Sequence, residues 1–147
     1  IAEGEDKGKS ALFFLAANSE GLQLIIDDAC LRGHITADGL NAFIPEGESE
    51  GYSALFGLAC TAEGRQLLIN DNELRSKITA QGLNAVITQG KHKGQSALYN
   101  LAGNPWGRQL LKDDADLLGK VTKIGLNAVI AEGEDKGKSA LFFLAAN

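Results

Sequence analysis

The chain has no methionine among its 147 residues, only two cysteines, two prolines and one tryptophan, and no surplus of positive charge. Each shortage removes a class of function. Cys30 and Cys60 fall at different places of the pattern described below, so they build no repeated disulfide or metal framework and read as thiols of a reducing, cytoplasmic compartment. With 14 Lys and Arg against 19 Asp and Glu, the formal net charge of -5 has the wrong sign for a broad phosphate-binding surface, and no nucleic-acid partner is expected. No apolar run comes near the roughly 18 residues that span a bilayer and no basic-then-apolar leader is present, so no membrane partner is expected either. No stretch alternates apolar and polar with period two, which argues against strands. The missing initial methionine suggests a piece of a longer protein. What remains is an ordinary globular composition, 44% hydrophobic and 22% charged, which excludes a disordered chain.

What is present is repetition. Gly8, Gly51, Gly94 and Gly137 each open the phrase Gly-x-Ser-Ala-Leu-x-x-Leu-Ala, 43 residues apart with no insertion or deletion. A period of this size signals a solenoid, whose units bury their apolar faces only against their neighbours. The units are 8–50, 51–93 and 94–136, with 1–7 ending a preceding unit and 137–147 starting a fourth, all in a single repeat domain. Residues 1–18 are identical to 130–147, and neither end carries the polar letters of a capping repeat, so the chain reads as a window on a longer array.

Within a unit, Ser10 stands in the N-cap place of a first helix over 11–17, with Leu12, Leu15 and Ala16 on one face. Asn18, Thr61 and Asn104 cap a second helix, and Pro105 supplies the favoured first position in the third unit. Continued to Ile35, that helix would carry Asp28, Asp71 and Asp114 inside an apolar stripe, where an unpaired carboxylate is costly. A break is expected, with Asp28 capping a separate turn over 29–34. Thr36, Thr79 and Thr122 then cap a last helix through Gly39-Leu-Asn-Ala-Phe-Ile44 and its copies, stopped by Gly47, Gly90 and Gly133. The expected fold is all-α: a right-handed α-solenoid of 43-residue units, three or four short helices per unit, and no β-sheet.

A 43-residue helical unit with Leu-Ala closing one helix, Arg-Gln-Leu-Leu in the next (65–68 and 108–111) and Gly-Leu-Asn-Ala-Val-Ile in the third resembles the armadillo repeat. The stretch from Asp6 to Phe13 is similar, more weakly, to the turn and helix that open an ankyrin repeat, with Ser-Ala-Leu-Phe where that family has Thr-Pro-Leu-His. Near-perfect repeats of this kind also resemble those in effector proteins of intracellular bacteria. The resemblance implies a protein-binding scaffold and, for a secreted effector, the host cytosol.

The apolar letters shared by all copies form the predicted core: Ala11, Leu12, Leu15, Ala16, Leu24, Ile25, Leu31, Ile35, Leu40, Ala42, Phe43 and Ile44 in the first unit. Gly21 and Gly39 mark close helix approaches. Two polar rows are shared as well, Asn41, Asn84 and Asn127, and Gln23, Gln66 and Gln109. Their amides either form a hydrogen-bonded ladder between units or to loop backbone, or, for the Asn row, grip a peptide backbone as the armadillo resemblance implies.

Letters that look like chemistry do not assemble a site. Gly4-Glu-Asp-Lys-Gly-Lys-Ser10 is one residue short of a phosphate loop, is surrounded by acids, and loses its lysine in the middle copies. Asp113, Asp114 and Asp116 lack the glutamate that closes a calcium loop. His34 and His92 are unaligned and lack ligand-spaced partners. Ser10 recurs once per unit, as a cap does and a nucleophile does not. No catalytic residue, metal or cofactor is expected.

Recognition is expected where the copies differ. Trp106 replaces Glu20 and Glu63, an exposed position, and reads equally as an interface anchor or as packing on Pro105. Phe13, Phe56, Tyr99 and Phe142 form an aromatic row suited to packing between units or to stacking on a peptide. The loops alternate in charge: Glu46, Glu48 and Glu50, then Lys91, His92 and Lys93, then Glu132, Glu134 and Asp135. Candidate partner contacts are therefore Trp106, Asn41, Asn84, Asn127, Tyr52, Tyr99, Lys91, His92 and Lys93. The expected function is a non-enzymatic scaffold that binds a protein or peptide; the alternative is a structural array that self-associates end to end.

Overall fold

The computed structural model describes residues 8–146. The reading of 1–7 as the end of a preceding unit lies outside the described residues. The fold is all-α. The first copy contains α1 (Ala11–Ala17), α2 (Ser19–Asp27), α3 (Ala29–Gly33) and α4 (Ala37–Asn41). The second contains α5 (Ala54–Cys60), α6 (Ala62–Asn70), α7 (Asn72–Ser76) and α8 (Ala80–Asn84). The third contains α9 (Ala97–Ala102), α10 (Pro105–Asp113), α11 (Ala115–Leu118) and α12 (Lys123–Asn127), and α13 (Ala140–Ala146) follows. Among the described residues there is no strand, only an isolated bridge between Phe43 and Ser53.

Every helix in the first copy begins on a side chain that accepts an otherwise orphaned backbone N–H. Ser10 Oγ accepts from Phe13, Asn18 Oδ1 from Glu20 and Gly21, Asp28 Oδ1 from Leu31, and Thr36 Oγ1 from Gly39, all at 2.9–3.1 Å. The chain breaks at Asp28 as its carboxylate requires: the residue is extended and caps α3. Four helices per copy result. None exceeds nine residues, too short to persist alone, so burial between helices must hold them.

The last helix of each copy is shorter than expected. It ends at Asn41, Asn84 and Asn127, and the next residue is extended in every copy. The competing pull is local: Ile44 donates its N–H to the Tyr52 carbonyl and accepts from the Gly51 N–H, and Ile87 and Ile130 repeat both bonds. This tie closes the loop back on itself, and Gly47 and Gly51 take the positive φ of 93° and 89° that the turn needs. Gly47 therefore bends a loop and does not stop a helix. As a consequence Ala42 and Phe43 are exposed rather than core.

Packing follows three rows. α1, α5, α9 and α13 touch in succession, and so do α2, α6 and α10, and α4, α8 and α12; the first row lies against both others. In the second copy Ala54, Leu55, Leu58, Ala59, Leu67, Leu68, Leu74, Ile78, Leu83 and Ile87 are all buried. The first copy departs at Ala11, which is exposed where Ala54 and Ala97 are buried, and at Leu24, which is 58% exposed although its counterparts Leu67 and Leu110 are buried. The helices that carry those two, α6 and α10, each pack on a preceding helix of the row, and no described helix precedes α2 there.

Candidate functional site

Two members of the asparagine row are consumed between copies. Asn41 Nδ2 donates to the Ala37 carbonyl of its own helix at 2.7 Å and to the Lys77 carbonyl of the next copy at 2.8 Å, while its Oδ1 accepts from the Thr79 N–H at 3.0 Å. Asn84 repeats this with Ala80, Lys120 and Thr122. Both are buried and satisfied, which is the ladder reading; neither offers its amide to a ligand. Asn127 is exposed and bonds only its own helix, at the Lys123 carbonyl, among the described residues. The ladder also explains a shared glycine: a Cβ on Gly82 or Gly125 would overlap the Asn41 or Asn84 amide of the preceding copy.

The glutamine row does not form a ladder. Gln23, Gln66 and Gln109 are exposed, and each donates four residues along its own helix, to Asp27, Asn70 and Asp113. Nothing beyond the helix itself needs the amide there.

A second set of ties between copies was not anticipated from sequence. Arg32 Nε meets Asp71 Oδ2 at 2.9 Å and Arg75 Nε meets Asp114 Oδ2 at 2.7 Å. Each guanidinium also donates to the last carbonyls of its own second helix, Ile25 and Ile26 or Leu68 and Ile69. Lys77 and Lys120 reach back to the Ile35 and Ile78 carbonyls. Asp71 also accepts the Leu74 N–H and Asp114 the Leu117 N–H. For Asp71 that cap is the main cause of a lowered pKa, with Arg32 adding to it; for Asp114 the Arg75 hydrogen bond comes first and the cap second. The signal in the sequence is Arg at the same repeat position in two copies, Arg32 and Arg75, replaced by Leu118 in the third.

The open surface lies elsewhere. Between α2 and α6 runs a groove of about 850 Å³ whose lining includes Ile26 and Leu67 beside Gln23, Gln66, Glu63 and Glu73. Trp106 occupies the place of Glu63 one copy on, at the start of α10, and is 67% exposed. A smaller apolar groove of about 390 Å³ lies between α8 and the residues around Ile124, with Phe43, Pro45 and Val86.

The remaining candidates fall into separate places. Tyr52, Phe56 and His92 form an edge-to-face aromatic cluster with centroids 5.3–5.9 Å apart. Tyr99 packs edge-on against Phe143 of the following copy, and its buried hydroxyl has no hydrogen-bond partner among the described residues. Burial, then Asp135, raises its pKa. The aromatic row is thus packing at Phe56 and Tyr99, which are buried. Lys91 and Lys93 line a loop cleft opposite Glu132, Glu134 and Asp135. No ion pair joins the two loops among the described residues; Lys138 and Asp135 pair at 2.8 Å instead. The candidate contacts therefore do not converge on one groove.

Among the described residues, no group of three or more His, Cys, Asp or Glu is placed to hold a metal. Burial pushes the Cys60 thiol up to about 12, so it is protonated at neutral pH. No described helix is long and apolar enough to cross a membrane. No family model, no curated protein and no solved structure matches the chain.

Proposed function

We propose that the chain is a right-handed α-solenoid of 43-residue units, 8–50, 51–93 and 94–136, serving as a non-enzymatic scaffold that binds a protein or peptide along the face of α2, α6 and α10. The observation that carries this reading is the division of labour on the surface. Constant letters such as Asn41, Asn84 and Gly82 are spent on joining copies. The groove between α2 and α6 combines apolar Ile26 and Leu67 with polar Glu63 and Glu73, and the Glu63 position changes to an exposed tryptophan in the third copy. A long concave row in which side chains vary over a fixed frame is how helical repeats present binding surfaces. An exposed indole suits an interface anchor. The Glu63 and Glu73 carboxylates favour a ligand that offers a cationic side chain beside an apolar one.

Selection from a displayed random-peptide library tests this directly. Binders should carry Lys or Arg next to an apolar residue, should shift the emission of Trp106, the single tryptophan, and should be lost with Glu63→Lys and Trp106→Ala. Recovery of no peptide sensitive to either substitution would overturn the reading.

A further inference from the structure

Beside the row of α4, α8 and α12 the copies depart from their common phrase, and the departures meet. At the place of Asp38 and Gln81 the third copy has Ile124, and at the place of Val86 and Val129 the first copy has Phe43. Pro45 stands where the other copies have Thr88 and Ala131. Folding brings Phe43, Pro45 and Ile124, from the first and third copies, onto the walls of the groove of about 390 Å³ beside α8, with Ala85 and Val86 of the second. Phe43 is 40% and Ile124 76% exposed. The fold does not require an isoleucine there, because α4 and α8 form with Asp38 and Gln81 in its place. Nor does the exposure come from an end of the chain: Gln81 holds the Ile124 place with α4 packed on one side and α12 on the other, and it too is exposed.

The charge at this groove is also peculiar to it. Glu50 is the one charged residue of the lining, where the other copies carry Lys93 and Lys136. Its carboxylate accepts from Gln89 Nε2 at 3.2 Å and has acceptor positions for a second donor. Glu46 and Glu48 precede it, exposed, in the same loop, and Lys123, next to Ile124, lies outside the lining. The Asn84 amide reaches the lining already committed to Ala80, Lys120 and Thr122. What the groove offers a ligand is therefore apolar surface and one anionic group.

We propose that this groove is a docking surface for an extended segment of a partner protein, which buries one large aliphatic or aromatic side chain against Phe43 and Ile124 and sets a Lys or Arg against Glu50. A groove of this volume takes one or two side chains and not the face of a helix. The apolar anchor supplies the affinity, and the pair with Glu50 fixes the direction of the segment. The surface is distinct from the face of α2, α6 and α10, and the inference is independent of ligand binding there.

Selection from a displayed random-peptide library, with counter-selection against the double variant Phe43→Val, Ile124→Gln, tests it. Both substitutions write in letters that other copies already use, so the variant should keep the helical circular dichroism of the unsubstituted chain. Recovered peptides should carry a large apolar residue with Lys or Arg nearby. In fluorescence anisotropy with a labelled peptide from that pool, Ile124→Gln and Glu50→Lys should each weaken binding about tenfold or more, as loss of an anchor does. Trp106→Ala should leave the affinity unchanged. Recovery of no peptide that tells the chain from the double variant, indifference to Glu50→Lys, or loss of binding with Trp106→Ala would each overturn the proposal. So would light scattering in which the chain self-associates and the double variant does not, since the occupant would then be a second copy.

Discussion

Leu55 and Leu141 are the same letter of the same phrase, yet Leu55 is fully buried and Leu141 is 43% exposed. Phe56 and Phe142 differ likewise, at 3% and 48%. The local helix is the same, seven residues capped by a serine hydroxyl. What differs is the company: α5 has α1 on one side, α9 on the other and α6 and α8 across it, whereas α13 has α9 and α12. Burial is therefore shared: Ile25 and Leu40 of the first copy are buried with one described neighbour, whereas the Leu55 and Phe56 positions, half-buried at Leu12 and Phe13, become core with neighbours on both sides.

The largest break of that comparison is a cavity in the middle. Leu55→Ala should lower stability by about 3–5 kcal/mol, as large-to-small changes at fully buried sites do, and Leu141→Ala by less than about 1 kcal/mol. Urea unfolding of the two variants gives both numbers; equal losses would mean that burial by neighbours is not what distinguishes the copies.

The ladder gives the next contrast. Asn84→Ala leaves the Lys120 carbonyl and the Thr122 N–H without their partner. Losing them should cost about 2 kcal/mol. Asn127→Ala removes one exposed bond within its own helix and should stay within about 0.5 kcal/mol at dilute concentration. Thermal melts of both variants resolve the difference, and an Asn84 substitution as mild as the Asn127 one would remove the ladder from the stability of the junction.

Caps and breaks were legible in the sequence because they act over three residues. Ser10, Asn18, Asp28 and Thr36 all accept the N–H they were expected to accept. The end of α4 was not, because Ala42-Phe43-Ile44 has ordinary helical letters and is pulled straight by backbone bonds to Gly51 and Tyr52, which leave no trace in composition. Nor was the exposure of Leu24, since the letter is constant and only its neighbours differ. The Arg32 and Arg75 ties span 39 residues, beyond any local pattern, and show only as a co-occurrence of Arg and Asp at fixed repeat positions. Of the candidate contacts, the exposure of Trp106 was legible because charged counterparts tolerate water, whereas the groove beside α6 needed two helices that only folding brings together.

The smallest contrast lies between the two ion pairs. Arg75 is the leading cause of the lowered Asp114 pKa, whereas Asp71 is held chiefly by the Leu74 N–H. Arg75→Gln should therefore raise the Asp114 pKa more than Arg32→Gln raises that of Asp71, as carboxyl carbon NMR titration would read. The sign of the stability effect follows from the direction. A carboxylate with a depressed folded pKa stabilises above its unfolded value of about 3.9 and loses that contribution as pH falls through the folded value. At neutral pH Arg75→Gln should thus cost about 1 kcal/mol, as partly exposed charge-assisted bonds do, with the gap to the unsubstituted chain closing in acid. Equal shifts at the two aspartates would show that the helix cap, common to both, governs them, and that the arginines join the copies without setting the charge at the junction.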